Sequence, residues 1–124
     1  MSLILKDVYE HTKRIYGLEL LAGSKGLSGI MNWVYLAEDA TASDFLSPGQ
    51  LVITTGVSRP HSSAWLSELI QMLIQAHTCG LIINVGNYIT EEDITKEIRQ
   101  LCEDSDYPLF IMPWKTHIAD ITHD

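Results

Sequence analysis

The fold of this chain is decided by the stretch Leu46-Ser47-Pro48-Gly49-Gln50-Leu51-Val52-Ile53-Thr54-Thr55-Gly56. Pro48 fixes φ within a turn and Gly49 tolerates a positive φ, so the chain is expected to reverse sharply before a strand begins. Residues 51–53 are apolar without alternation, which is typical of a strand covered on both faces in a parallel sheet. Residues 54–56 then lie at the carboxyl end of that strand, where open α/β sheets place ligands.

Helical and strand patterns alternate along the rest of the chain. Apolar residues recur at three- and four-residue spacing, which predicts helices over 5–16, from Ser62 or Ser63 to His77, and from Thr90 through Cys102. Short apolar runs predict strands at 18–22, 32–37, 51–55, 81–86 and 108–112. The order strand, helix, strand, helix, strand is typical of right-handed βαβ units. We therefore predict one compact α/β domain, with a mostly parallel sheet of about five strands flanked by helices.

Composition restricts the possible partners. The chain has 124 residues and a formal charge of −8, from 8 basic and 16 acidic residues. Because the basic residues form no run longer than two, the chain itself is a poor candidate for contacting DNA, and we assign no DNA-binding residues. No signal peptide or membrane-length apolar stretch is visible, so we expect a cytoplasmic location and no membrane partner.

Motifs for catalysis and metal binding are missing from the sequence. It contains no HExxH, Cys-x-x-Cys or Gly-x-Ser-x-Gly pattern, so we expect no catalytic residues, no metal site and no cofactor. His117, Asp120 and Asp124 could share a helix face, but this spacing is common on solvated surfaces. Cys79 and Cys102 are interpreted as free, buried thiols in a reducing compartment.

Polar residues after two of the predicted strands form the candidate ligand site. Because both strands are expected to be parallel, their polar ends could line one crevice. The alternative is that these threonine and asparagine side chains only cap orphan backbone groups. The turn Gly23-Ser24-Lys25-Gly26 lacks the spacing of a phosphate-binding loop, and we interpret it as a tight turn. The candidate ligand residues are Thr54, Thr55, Gly56, Asn84, Gly86, Glu38 and Trp114.

The order of several short motifs resembles the N-terminal domain of the PucR-type purine-catabolism regulators, a family of bacterial transcription factors. Its most specific part is the Leu46–Gly56 stretch with the double threonine. The other matching segments are Ala22-Gly23-Ser24-Lys25-Gly26-Leu27, Trp33-Val34 with Glu38 downstream, Gly80-Leu81, Gly86 and Tyr107-Pro108-Leu109-Phe110-Ile111-Met112-Pro113-Trp114.

The resemblance implies a regulatory, small-molecule-sensing module, with the DNA-binding helix-turn-helix in a C-terminal domain outside this chain. It also implies that residues 1–124 are an excised piece of a longer regulator, with a metabolite effector and a homodimer as expected partners. One alternative is a dimerisation module without its own ligand, for which Trp65, Met72 or Met31 would supply an exposed patch. Another alternative is a small α/β enzyme.

Overall fold

A computed structural model of the chain describes residues 3–36, 46–55, 64–86 and 89–113. The secondary structure of these residues is, in chain order, β1 (Leu3–Ile4), α1 (Leu5–Tyr16), β2 (Glu19–Ala22), a 3₁₀ helix (Ser24–Ser28), β3 (Ile30–Met31), β4 (Trp33–Leu36), β5 (Gln50–Thr54), α2 (Trp65–Gln75), β6 (Gly80–Val85), a second 3₁₀ helix (Glu91–Asp93), α3 (Lys96–Asp104) and β7 (Leu109–Pro113). No helix within these residues is long and apolar enough to cross a membrane.

The main sheet has five strands in the described residues, in the order β2-β7-β6-β5-β4. The pairs β4–β5, β5–β6 and β6–β7 are parallel, and the edge strand β2 is antiparallel to β7. The prediction of a mostly parallel α/β sheet is therefore confirmed. The turn before β5 has the predicted form, since Gly49 has a φ of +85°. Every residue of β5 from Gln50 to Thr54 is buried, as expected for a strand covered on both faces.

Helices cover both faces of this sheet. The α2/α3 face packs Leu69, Ile70 and Leu73 of α2 against strand residues such as Val52, Leu81 and Ile83. The α1 face packs Leu5 and Tyr16 of α1 against Ile53, Ile82 and Phe110. Successive side chains of a strand point to opposite faces, so each central strand contributes to both clusters. This arrangement explains why the central strands are apolar without alternation.

Two local features differ from the sequence-based prediction. The helix predicted to begin after Thr90 is split, because Thr90 and Asp93 form a capping box on a short 3₁₀ helix. The α-helix then starts at a second cap, where Thr95 Oγ1 accepts a hydrogen bond from Ile98 N at 3.3 Å. The sequence analysis also missed the antiparallel pair β1–β3, whose two-residue strands are too short for periodicity to reveal. The proposed serine caps of α2, at positions 62 and 63, lie outside the described residues.

Candidate functional site

Parallel pairing brings the predicted polar strand ends to one edge of the sheet. Thr54 of β5 is paired with Ile83 of β6, so Thr55, one residue later, lies level with Asn84. All three polar side chains are buried, with exposed fractions of 0% for Thr54, 8% for Thr55 and 2% for Asn84. Gly56, Glu38 and Trp114, the other predicted contacts at this edge, lie outside the described residues.

The side chains at this edge point to different faces. Strand alternation places Thr54 on the α2/α3 face, together with Val52. The same alternation places Asn84 on the α1 face, together with Ile82. A ligand that contacted both Thr54 and Asn84 would therefore lie across the end of the sheet rather than over one face.

Asn84 has a structural role at the end of β6. Its Nδ2 donates to Met112 O at 3.2 Å and to Pro113 O at 2.9 Å, so the amide joins the ends of β6 and β7. Gly86, which is exposed, donates its N–H to Ile89 O at 2.8 Å and closes the loop that follows β6. These contacts agree with the alternative interpretation of Asn84 as a cap of backbone groups.

Among the described residues, two buried polar side-chain atoms on the α2/α3 face have no hydrogen-bond partner. They are Thr54 Oγ1 at the end of β5 and Trp65 Nε1 at the start of α2. A buried polar atom without a partner costs about 1–3 kcal/mol of stability. Of the predicted site residues that the structure describes, Thr54 is therefore the one whose polar group the fold leaves unsatisfied.

The Gly-Ser-Lys-Gly turn is explained by packing. Gly23 has a φ of +77°, and its N–H donates to the Glu103 carboxylate. A side chain at Gly23 would collide with the backbone of Tyr107, and one at Gly26 would collide with the carbonyl of Asp106. The turn therefore fits closely against the segment before β7. The N–H of Gly23 already donates a hydrogen bond to the Glu103 carboxylate, so this N–H is engaged and not offered to a phosphate.

The thiols and the buried tyrosine are poor nucleophiles. Burial raises the pKa of Cys79 from 9.0 to about 12, and burial together with the Glu103 charge raises the pKa of Cys102 to about 12. Burial also raises the pKa of Tyr107, whose hydroxyl lies 2.7 Å from Thr78 Oγ1. Because Thr78 Oγ1 donates to Leu73 O at 2.9 Å, the Tyr107 hydroxyl acts as the donor to Thr78. These groups hold the core together and remain protonated at neutral pH.

A groove of about 470 Å³ lies between α1 and the sheet, and the sequence analysis did not predict it. Its floor is formed by apolar side chains of the sheet, including Val34, Leu51 and Ile82. The wall from α1 combines apolar and polar residues. The residues of α1 that line the groove are Asp7, Val8, His11, Thr12, Ile15 and Tyr16, and the remaining lining residues are Leu3, Leu18 and Met31.

The geometry of α1 explains why this space is open. Leu5 and Tyr16, near its two ends, are buried at 1% and 6% exposure and hold the helix against the sheet. The Tyr9 ring packs against Phe110 in a tilted arrangement, with ring centroids 5.2 Å apart, which places one side of the helix over β7. Between these contacts, the half-buried Val8 and Thr12 line the groove. Asp7 and His11 lie on the exposed side of α1, so the amphipathic pattern of this helix gives no signal for the groove.

Comparisons with known proteins agree with the resemblance seen in the sequence. A model of the PucR, purine catabolism regulatory protein-like, family matches residues 7–124. The purine catabolism regulatory protein of Bacillus subtilis (strain 168) is 30% identical over 104 residues, which are 84% of this chain and 19% of that protein. The transcriptional activator PmfR of Paenarthrobacter nicotinovorans is 24% identical over 110 residues, which are 89% of this chain and 23% of that protein.

The chain therefore spans about a fifth of the length of these two relatives. Both relatives are named as regulators, and one is named as an activator of transcription. The family match covers nearly the whole chain. This chain belongs to the purine catabolism regulatory protein-like (PucR) family.

Proposed function

We propose that this chain is the small-molecule-sensing domain of a transcriptional regulator whose DNA-binding helix-turn-helix lies outside it. The names of the two relatives support a role in transcriptional control. The net charge of −8 and the dispersed basic residues argue against DNA contact by the chain itself. We place the regulator in the cytoplasm, where a bacterial transcription factor meets DNA.

The observation that carries the sensing proposal is the groove beneath α1. Its volume of about 470 Å³ falls within the range of about 300–1,000 Å³ that is usual for small-molecule sites. Such sites combine apolar walls with a few polar groups, and Asp7, His11 and Thr12 supply the polar groups here. Since the raised pKa values of both thiols disfavour nucleophilic chemistry, we propose binding without catalysis.

The edge of the sheet is a second place where an effector could make contact. The Thr54 hydroxyl is buried there without a hydrogen-bond partner. A ligand group that formed a hydrogen bond with this hydroxyl would stabilise the complex, because it would remove the cost of the unsatisfied group. We propose Thr55, Gly56, Glu38, Gly86 and Trp114 as the further contacts of a ligand at this edge. Asn84 would contribute less, because its amide N–H group already joins β6 to β7.

A thermal-shift screen tests the sensing proposal. The chain would be heated with purines, ureides, amino acids and related nitrogen compounds, and a true effector raises the midpoint in proportion to RT ln(1 + [L]/Kd). Switching further requires that the effector binds two conformations with different affinity, so the midpoint shift should be accompanied by a change in the NMR spectrum. A broad library that leaves both the midpoint and the spectrum unchanged would contradict sensing.

A dimerisation module is the second candidate function, and one observation favours it. Edge strand β4 exposes Trp33 at 49% and Leu36 at 46%, and Ile30 of β3 is exposed at 57%. Exposed apolar residues on a strand at the edge of the described sheet are a common basis for a self-complementary interface. Sedimentation velocity distinguishes the two functions, because a stable dimer with no response to ligands would favour this one.

Of the three residues first predicted for that interface, Trp65 and Met31 are wrong because they are buried, whereas Met72 is half-buried. Trp65 and Met31 are buried at 4% and 8% exposure, and Met72 packs against the core on the α2/α3 face. Their apolar periodicity reflected the core rather than the surface. The exposed large apolar residues in the described part of the chain are Leu3, Ile4, Ile15, Ile30, Trp33 and Leu36, and we propose that a dimer contact would draw on some of them.

A further inference from the structure

This inference rests on the proposed sensing function and concerns the chemistry of the effector. We infer that the groove beneath α1 binds a compact, ring-containing amine, with its rings on the apolar floor and its positive charge at Asp7. Organic anions of the same shape are disfavoured at this site. The inference follows from the volume of the groove, its apolar floor and the charges of its described lining residues.

The volume of the groove limits the size of its ligand, and the lining of the groove favours an apolar ligand. A groove of about 470 Å³ holds a molecule of one or two rings and is too small for a folded partner. The floor residues Val34, Leu51 and Ile82 offer no charged group and no side-chain hydrogen-bonding group to a ligand. Because Leu51 and Ile82 are 4% and 0% exposed, a flat aromatic ring system would remove apolar surface from water mainly at Val34 and at Val8 and Ile15 of α1.

The charges around the groove determine whether a positively or a negatively charged ligand is favoured. With histidine counted as neutral, Asp7 is the charged residue among the described lining residues, and no lysine or arginine lines that part of the groove. The nearby basic residue of α1, Lys13, forms an ion pair with Glu10 at 3.0 Å and lies 5.5 Å from the centre of the Tyr9 ring. A carboxylate in the groove would therefore meet Asp7 without a compensating cation, whereas an ammonium group would be attracted.

Asp7 and His11 are well placed to contact a polar group at the rim. They are one helical turn apart, so their side chains lie next to each other on α1. Both residues are exposed, which leaves the ligand's charged end partly in water while its rings are buried. Because the charge stays partly solvated, its contribution to affinity should be modest, about two- to fivefold.

Three indole probes of nearly equal shape test this inference. Tryptamine carries a positive charge, tryptophol is neutral, and indole-3-acetate is negative. Each would be titrated into the ¹⁵N-labelled chain and followed by chemical-shift changes. We expect tryptamine to bind about two- to fivefold more tightly than tryptophol and indole-3-acetate to bind most weakly. The shifts should map to α1 and to Val34, Leu51 and Ile82.

Matched variants separate the charge from the shape of the site. Asp7→Asn should bring the ratio of the tryptamine and tryptophol dissociation constants to about one, because the charge that favours the amine is removed. Glu10→Gln removes the same charge from the same helix outside the groove and should keep the difference. Val8→Phe fills the groove and should weaken all three probes. A correctly dispersed spectrum of Val8→Phe would show that the weaker binding is not caused by unfolding.

Several outcomes would overturn the inference. Indole-3-acetate binding as tightly as tryptamine would contradict the assigned charge, and no binding by any probe would contradict the site. A dimer that Val8→Phe dissociates would make the groove an interface between two copies. If the screen yields an effector whose shifts map to Thr54 and Asn84, sensing survives and this inference fails. If no compound in the screen binds anywhere, the sensing proposal itself fails.

Discussion

The two faces of the sheet are packed differently, and the difference indicates where function lies. On the α2/α3 face, Leu69, Ile70 and Leu73 are all 0% exposed and fill the space above the strands. On the α1 face, the helix is held at Leu5 and Tyr16 and leaves a groove of about 470 Å³ beside it. The α1 face is therefore the face on which we propose that a small molecule binds.

The largest expected effect is the loss of a core side chain on the α2/α3 face. Leu73→Ala should lower the free energy of unfolding by about 3 kcal/mol, because it removes buried methyl groups and leaves a cavity. Val8→Ala on the α1 face should cost less than about 1 kcal/mol, since Val8 is only half-buried beside space that is already open. Urea denaturation measures both values, and similar costs for the two variants would contradict the contrast between the faces.

A substitution at Gly23 should have the next largest effect. Gly23→Ala places a Cβ against the backbone of Tyr107 in a residue with a φ of +77°, so we expect a loss of about 2 kcal/mol. Gly29 has a φ of −68°, and Gly29→Ala is the matched control with an expected loss below about 1 kcal/mol. Thermal unfolding compares the two. An unchanged midpoint for Gly23→Ala would show that the turn is not fitted against the segment before β7.

Alkaline pH should lower the free energy of unfolding, because Cys79, Cys102 and Tyr107 have raised pKa values in the folded chain. In the unfolded chain the thiols release their protons near pH 9, whereas the folded pKa of Cys79 and of Cys102 is about 12. The folded state therefore binds more protons between pH 9 and 12, and the stability present below pH 9 falls as pH rises. The raised pKa of Tyr107 adds a further loss above its usual range near 10.

Cys79→Ala tests this assignment directly. The variant should reduce the slope of unfolding free energy against pH by up to about 1.4 kcal/mol per pH unit within that window, because one titrating group is removed. Urea midpoints at pH 8, 9, 10 and 11 would be measured for both proteins at the same temperature. A slope that Cys79→Ala leaves unchanged would mean that Cys79 does not titrate with folding.

Two buried threonines give the smallest and most informative comparison. Thr78→Val should lose about 1–2 kcal/mol, since Thr78 bonds both Leu73 O and the Tyr107 hydroxyl. Thr54→Val should be neutral or stabilising by up to about 1 kcal/mol, because Thr54 Oγ1 has no hydrogen-bond partner. Differential scanning calorimetry measures both. A large loss for Thr54→Val would show that this hydroxyl is satisfied, and would remove the argument for a ligand at the strand end.

The sequence was sufficient to predict features that depend on local patterns. Helix α1 has the predicted limits because its apolar periodicity ends at Gly17, which adopts a left-handed φ of +71°. Strand β5 could be predicted because three adjacent apolar residues suit a strand that is buried on both faces. The alignment of Thr54, Thr55 and Asn84 at one edge followed from the parallel order of β5 and β6.

Other features depend on contacts that a local pattern does not contain. Thr90 and Thr95 are both strong cap residues, and only the structure shows that each begins its own helix. The partners of Asn84 come from the end of β7, about thirty residues away in sequence. The groove lies between α1 and the sheet, and α1 packs there through Leu5, Tyr9 and Tyr16 on residues that are distant in sequence, such as Ile82 and Phe110.

The most direct test of a ligand site beneath α1 compares the two faces of the sheet in one experiment. The chain with ¹³C-labelled Ile, Leu and Val methyl groups would be titrated with indole, which carries no charge, and followed by methyl NMR. We expect changes in the methyl chemical shifts of Val8, Val34, Leu51 and Ile82 on the α1 face, and no changes for Leu69 or Leu73 on the α2/α3 face. Methyl groups that stay unshifted on the α1 face, or that shift first at Leu69 and Leu73, would contradict a ligand site beneath α1.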